Sequence, residues 1–304
     1  MPRKVEIVEV GPRDGLQNEK TLLDVAEKLE FIARLEAAGV TRIETVSFVN
    51  PKRVPQMAGA EEVMAGLPPT PGRSRIGLIL NRKGWERAVA AQCDEANLVV
   101  CASDSFGIRN QGASIAEQVT AMQEIAGLAA AGGPTLSVTI GVAFGCPFEG
   151  EVPVAAVAAI AAACDAAGIA ELALADTIGV GDPWAVRARV EAARVAAPRA
   201  RLRVHFHDTR NTGLANAAAA IEAGVDVLDA SCGGIGGCPF APAATGNIAT
   251  EDLVYMLERA GIATGLDLDA LIATADWIGA KLGRSHPSAL SRAGRFPASP
   301  ARAA

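Results

Sequence analysis

Short runs rich in β-branched residues alternate with longer stretches rich in Ala, Leu and Glu from one end of the chain to the other. The short runs have the length and composition of strands and the longer ones those of helices, so the chain reads as repeated βα units. The strand candidates are Val5 to Val10, Arg42 to Val49, Arg75 to Leu80, Ala96 to Ala102, Leu136 to Phe144, Glu171 to Asp176, Leu202 to Asp208 and Val225 to Ser231. Eight consecutive units without a break in composition favour an α/β fold of the closed (β/α)8 TIM-barrel type over an open doubly wound sheet. Helices are expected from Leu22 to Ala38 after a cap at Thr21, and from Ile115 to Ala131 after a cap at Ser114, with Gly39 and Gly132 as stops.

After the eighth strand, a glycine-rich segment leads into further helices, Glu251 to Arg259 and Leu268 to Leu282. The expected organisation is one barrel domain over residues 1–282 with extra C-terminal helices. Residues 283–304, with three prolines and no periodicity, read as a flexible tail without chemistry. In such barrels the active site lies at the C-terminal ends of the strands.

Composition narrows the functional classes. The 304 residues are 50% hydrophobic and only 4% aromatic, which suits helices packed closely on strands through small side chains. The formal charge of -6, without a basic stripe interleaved with aromatics, argues against nucleic acid and leaves small molecules as the default ligands. An apolar strand begins almost at once and no apolar run is long enough to span a bilayer, so no targeting segment or membrane span is expected and the cytoplasm is the expected location. The six cysteines, Cys93, Cys101, Cys146, Cys164, Cys232 and Cys238, lack paired metal-ligand spacing and are expected to be reduced.

The chemistry-bearing residues gather at strand ends. His205 and His207 lie two apart in the seventh strand, so their rings face one side while Leu202, Val204 and Phe206 face the other. The apolar set belongs against helices, which sends the imidazoles toward the barrel axis as half a metal site; a hydrogen-bonded core pair beside Asp208 is the plainer reading. The first strand ends in Gly11-Pro12-Arg13-Asp14-Gly15, where Asp14 offers a carboxylate or merely a turn and surface ion pair. Glu44 and Asp176 add acids to the same rim, or simply anchor loops. The loop Cys232-Gly233-Gly234-Ile235-Gly236-Gly237-Cys238-Pro239 can be a phosphate cradle, a plain connection, or a lid that carries Cys238 to substrate. The cysteine at its end favours the lid.

Taken together, these segments resemble hydroxymethylglutaryl-CoA lyases of the DRE-TIM metallolyase superfamily. Val10-Gly11-Pro12-Arg13-Asp14-Gly15-Leu16-Gln17-Asn18-Glu19-Lys20 is similar to the family's opening motif. Ser47-Phe48-Val49, Gly145-Cys146-Pro147-Phe148-Glu149-Gly150, Asp176-Thr177-Ile178-Gly179, His205-Phe206-His207-Asp208-Thr209, Gly236-Gly237-Cys238-Pro239 and Gly246-Asn247 follow in the family's order. The resemblance runs from about Val5 to about Leu282.

It implies metal-dependent cleavage of 3-hydroxy-3-methylglutaryl-CoA, an acyl-CoA thioester, into acetyl-CoA and acetoacetate, the chemistry of leucine degradation and ketone-body formation. Asp14, His205, His207 and Asn247 match the family's ligands for a divalent cation, and a mixed N/O shell suits Mg2+ or Mn2+. Arg13 matches a catalytic arginine, Cys238 an acid/base cysteine, Glu44 an acid near the metal and Asp176 one that supports the site; His205 is also the route for the hydroxyl proton. A homo-oligomer, dimer or tetramer, is expected, although no stretch of sequence specifies which.

The chain departs from the family's pattern at Arg210-Asn211-Thr212-Gly213 and across Ser103 to Asn110, which opens the identity of the acyl group. The same cleavage of a related substrate, such as the isohexenyl analogue, is the nearest alternative. A Claisen-condensing synthase fits less well, because its different opening motif and extra C-terminal region are not seen. A barrel that keeps the metal without the chemistry fits less well still, because every polar group the reaction needs is present.

Overall fold

Each expected strand forms, and each pairs in parallel with its sequence neighbour until the eighth closes on the first. The computed structural model describes residues 4–237 and 246–296. Its barrel strands are β1 (Glu6–Glu9), β2 (Arg42–Ser47), β3 (Ser74–Ile79), β4 (Glu95–Cys101), β5 (Thr135–Gly141), β6 (Glu171–Asp176), β7 (Arg201–Phe206) and β8 (Val227–Ala230). A small hairpin, Gly145–Cys146 with Gly150–Glu151, sits in the loop after β5.

The helices are α1 (Val25–Ala37), α2 (Ala60–Ala65), α3 (Arg82–Ala90), α4 (Asp104–Gln111), α5 (Ile115–Ala131), α6 (Val154–Ala166), α7 (Pro183–Ala196), α8 (Gly213–Glu222), α9 (Thr250–Arg259), α10 (Leu268–Leu282) and α11 (Leu290–Ala293). Helix α5 starts at its expected cap: Ser114 accepts from the Glu117 amide while Glu117 reaches back. Helix α1 starts three residues later than expected. Asp24 and Glu27 make the reciprocal cap there, while the Thr21 hydroxyl donates to the Leu282 carbonyl on α10.

The barrel buries two unlike interiors. Outward side chains such as Leu202, Val204 and Phe206 join the helices in the main apolar core. Inside, Val8, Val10, Ile76 and Val227 make a small apolar cluster. Much of the rest of the axis is polar, although Leu78 and Val99 line it toward the mouth. Near its N-terminal end Arg42 bridges Glu95 and Glu171 at 2.7 Å each, with Arg203 next to them. Such buried charges hold only as a mutually satisfied set, since removing one partner strands another in low dielectric.

Beyond the barrel, α10 packs on α1 through Trp277 and Phe31, whose ring centroids are 6.0 Å apart. In the segment after Gly283, which lacks sequence periodicity, the Asp252 carboxylate accepts from the Ala289 and Leu290 amides and so begins α11. Among the described residues, no helix is long and apolar enough to cross a membrane.

Candidate metal and active site

The first strand delivers Arg13 and Asp14 to the barrel mouth through a wide π-type turn, Gly11–Gly15. The Val10 carbonyl accepts from the Arg13 and Gly15 amides, and the Glu9 carboxylate accepts from Gly11 at 2.7 Å. Gly15 is required by close approach: a β-carbon there would lie 2.6 Å from Ser231 Oγ and 2.7 Å from Ile235 Cγ1. The root of the glycine-rich loop therefore presses directly on the Arg-Asp turn.

Alternation along β7 puts His205 and the following His207 inside the barrel, with ring centroids 5.1 Å apart. His207 Nε2 stands 3.5 Å and His205 Nε2 3.9 Å from Asp14 Oδ2. One ligand atom from each of the three residues falls within 4.8 Å of the others, a cluster that can hold a metal ion. Asn247 reaches the same Asp14 carboxylate from the far side of the glycine-rich loop. Its Nδ2 donates to Asp14 Oδ2 at 2.9 Å and to the Ile235 carbonyl at 3.1 Å, while its Oδ1 is buried without a hydrogen-bond partner. Gly246 makes that approach possible, with φ of +106° and room for no side chain against the Gly234 carbonyl.

Arg13 is held from two sides. Its Nε donates to Glu44 Oε2 at 2.6 Å and its Nη1 to Asp14 Oδ1 at 2.5 Å, and Asn97 donates to the other Glu44 oxygen at 2.9 Å. Glu44 thus anchors the arginine from the barrel interior, beside a bulge in β2. Asp176 lies near the histidines, but both of its oxygens accept from the Val180 and Gly181 amides, which ties down the loop after β6. Cys238 lies outside the described residues.

Burial alone would push the Asp14 carboxyl up; Arg13 and the two imidazoles reverse this and hold it well below the usual carboxylate range. Burial likewise opposes a charged His205, but the hydrogen bond to Asp229 and the Asp14 charge raise its pKa. For Asp176 burial wins, and its pKa rises despite the two amides.

These residues open on a cavity of about 870 Å³, lined by Arg13, Asp14, His205 and His207 on one side and by Leu78, Val99 and Phe106 on another. The two departures from the family's pattern fall differently. Phe106, Asn110 and Gln111 of α4 line the cavity. Arg210 instead donates to the Ile178 and Gly179 carbonyls at 3.1 and 2.7 Å, joining the loops after β6 and β7. Sequence reasoning missed four buried acids and bases around the site: Glu9, Arg203, Asp229 and Glu251. Only strand alternation marked Asp229, which shares a β8 face with Val227 and pairs in register with His205.

A parallel barrel that gathers two imidazoles and a carboxylate at the C-terminal mouth of a deep cavity defines a metal-capable enzyme of the (β/α)8 class. The chain belongs to the HMGL-like family, whose model matches residues 4–278. It is 44% identical over 300 residues to an (R)-citramalyl-CoA lyase of Chloroflexus aurantiacus, covering 95% of each chain. It is 42% identical to a 3-hydroxy-3-isohexenylglutaryl-CoA/hydroxy-methylglutaryl-CoA lyase of Pseudomonas aeruginosa, over 96% of this chain and 98% of that one. The solved structure of an HMG-CoA lyase from Acinetobacter baumannii, in complex with coenzyme A and 3-methylmalate, is similar with a TM-score of 0.92 and 40% identity, covering 97% of this chain and 96% of that one.

Proposed function

We propose that this chain is a divalent-metal-dependent carbon-carbon lyase that cleaves 3-hydroxy-3-methylglutaryl-CoA into acetyl-CoA and acetoacetate. The observation that carries the reading is the convergence of Asp14, His205 and His207 beside Arg13 in one cavity, in a chain similar over nearly its whole length to acyl-CoA lyases.

The residues fit the cation that the family implies. Two imidazole nitrogens, the Asp14 carboxylate and the unpartnered Asn247 Oδ1 offer a mixed N/O shell with positions left for substrate oxygens, which suits Mg2+ or Mn2+. When bound, the cation supplies positive charge that orients the substrate and acidifies its tertiary hydroxyl. The exposed Arg53 and Lys83 at the cavity rim suit the phosphates of coenzyme A, in a molecule whose net charge is otherwise negative.

The chain's own groups account for the proton movements. The C3 hydroxyl proton leaves by way of Asp14 and His205 as the C2–C3 bond breaks and C3 becomes the ketone of acetoacetate. The bond's electron pair passes onto the thioester as an enolate, and Arg13, immobilised by Glu44, faces the negative charge on its oxygen. The Cys238 thiol delivers a proton to C2, giving acetyl-CoA, and the proton that left the hydroxyl converts the resulting thiolate back to the thiol.

A related 3-hydroxy acyl-CoA is the second reading, favoured by the citramalyl- and isohexenylglutaryl-CoA lyases among the relatives and by the departures at the α4 wall of the cavity. Purified protein offered 3-hydroxy-3-methylglutaryl-CoA, its isohexenyl analogue and citramalyl-CoA, with and without chelator, decides between them. Acetyl-CoA should appear fastest from the first and vanish with chelator. Faster cleavage of either other thioester replaces the substrate assignment, and cleavage that survives chelation removes the metal.

A further inference from the structure

Arg203 and Asp229 are buried beneath the histidines, and neither belongs to the metal-capable cluster. Asp229 Oδ2 lies 3.2 Å from His205 Nδ1, and its Oδ1 lies 3.5 Å from Arg203 Nε. Among the described residues, Asp229 Oδ1 and Arg203 Nε have no hydrogen-bond partner, and Asp229 Oδ1 lies against a guanidinium that it shares with Glu171. Arg203 in turn stands 3.5 Å from Glu171, which Arg42 holds from below. The line Arg203, Asp229, His205 thus runs up the barrel axis and ends at His205 Nε2, 3.9 Å from Asp14.

This order dictates a protonation pattern. A carboxylate paired with a guanidinium accepts hydrogen bonds and donates none, so His205 Nδ1 must carry the ring proton and Nε2 keeps its lone pair. His207 differs, since its Nδ1 is buried without a partner. We infer that Arg203 and Asp229 are a positioning pair for His205: they lock its Nδ1–H tautomer and ring plane so that the Nε2 lone pair is presented to the cation at the barrel mouth. The cation rests on the proposed lyase function; the tautomer does not. A pair serving only to neutralise charge would have no reason to share Asp229 with the imidazole, because Arg203 already has Glu171 and Glu95 within 3.9 Å.

The chain's three histidines make the test direct. Long-range proton-nitrogen spectra of the whole protein carrying 15N-histidine, taken at pH 9 and assigned with His286→Gln, should show neutral His205 protonated at Nδ1. In Asp229→Asn the amide can present its NH2 group to the ring, and the population should move toward Nε2–H. Calorimetric Mn2+ affinity should fall about 10- to 100-fold with it, the range for loss of a group that orients a ligand histidine. Arg203→Lys, which keeps the charge, should lose less than Arg203→Met. A wild-type ring protonated at Nε2 overturns the inference, as does folded Asp229→Asn with Mn2+ affinity within threefold of wild type. If the Asn variant fails to fold, the wild-type spectrum still decides. Should wild type cleave no acyl-CoA while His205 shows the Nδ1–H form, the lyase reading fails and the positioning pair stands.

Discussion

Replacing Glu9 with Gln should stabilise the protein above neutral pH and change it little in mild acid. Glu9 is fully buried, and burial drives its pKa from the ordinary 4.5 to about 7 despite hydrogen bonds from Thr250, Cys232 and Gly11 and with a further push from Asp229. A carboxyl whose folded pKa lies above its unfolded value binds its proton more tightly when folded. Its contribution is complete below pH 4.5 and is lost as the pH rises through 7, the reverse of an ordinary salt-bridged carboxylate. At about 1.4 kcal/mol per pH unit, the gap is worth roughly 3 kcal/mol. Gln imitates the protonated form: one atom still accepts from the Gly11 and Cys232 amides, and its NH2 donates to the Thr250 hydroxyl, which can turn to receive it. Urea unfolding of both proteins, followed by tryptophan fluorescence from pH 5 to pH 9, measures the difference. Gln should lead by less than about 1 kcal/mol at pH 5 and by roughly 3 kcal/mol at pH 9. A variant uniformly less stable than wild type across that range would show that the ionised carboxylate is accommodated and that the reasoning from burial is wrong.

Other perturbations test neighbouring parts of the same construction. Glu251, pushed by burial to about 8, should behave like Glu9 with its window extended to higher pH, so Glu251→Gln should flatten the pH dependence of urea stability between pH 5 and pH 9. Gly15→Ala should cost about 1–3 kcal/mol by forcing a methyl group against Ser231 and Ile235, as read by the same unfolding curves. His207→Ala removes one of three converging side chains that could hold a cation and should weaken calorimetric Mn2+ binding at least tenfold, while unchanged affinity would dissolve the proposed shell. Arg13→Lys loses the fork that joins Glu44 to Asp14 and should lower kcat by about 100-fold or more with KM less affected, measured on the thioester that the panel identifies.

The sequence made the barrel legible because its outward face follows a simple rule. Residues such as Leu202, Val204 and Phe206 alternate with polar ones, so strand positions and the direction of both histidines follow from period two alone. Local rules also placed the α5 cap at Ser114. They misplaced the start of α1, because Thr21 is also a cap by type, although a weaker one than Asp24 with its box partner Glu27, and its hydroxyl is spent on α10. The inner charges were harder still. An arginine or aspartate facing one side of a strand reads as solvent-exposed until the sheet closes, and nothing local to Arg203 or Asp229 announces that closure. Glu44 and Asp176 were legible as acids near the site, but their tasks, holding Arg13 and fastening a loop, depend on partners far apart in sequence.

The polar interior also explains why a catalytic mouth can be so finely held in a chain this rich in alanine. An axis filled with aliphatic side chains would pack well, but it could not fix the ring plane of a histidine or the fork of an arginine. Here Arg42 joins β2 to β4 and β6, Arg203 adds β7, and Asp229 passes the constraint from β8 to His205. Each charge costs desolvation on burial and is retained only because its neighbours satisfy it. The arrangement exchanges some core stability for orientation at the strand ends. The outer helices, packed on the apolar faces, supply the stability that the axis gives up.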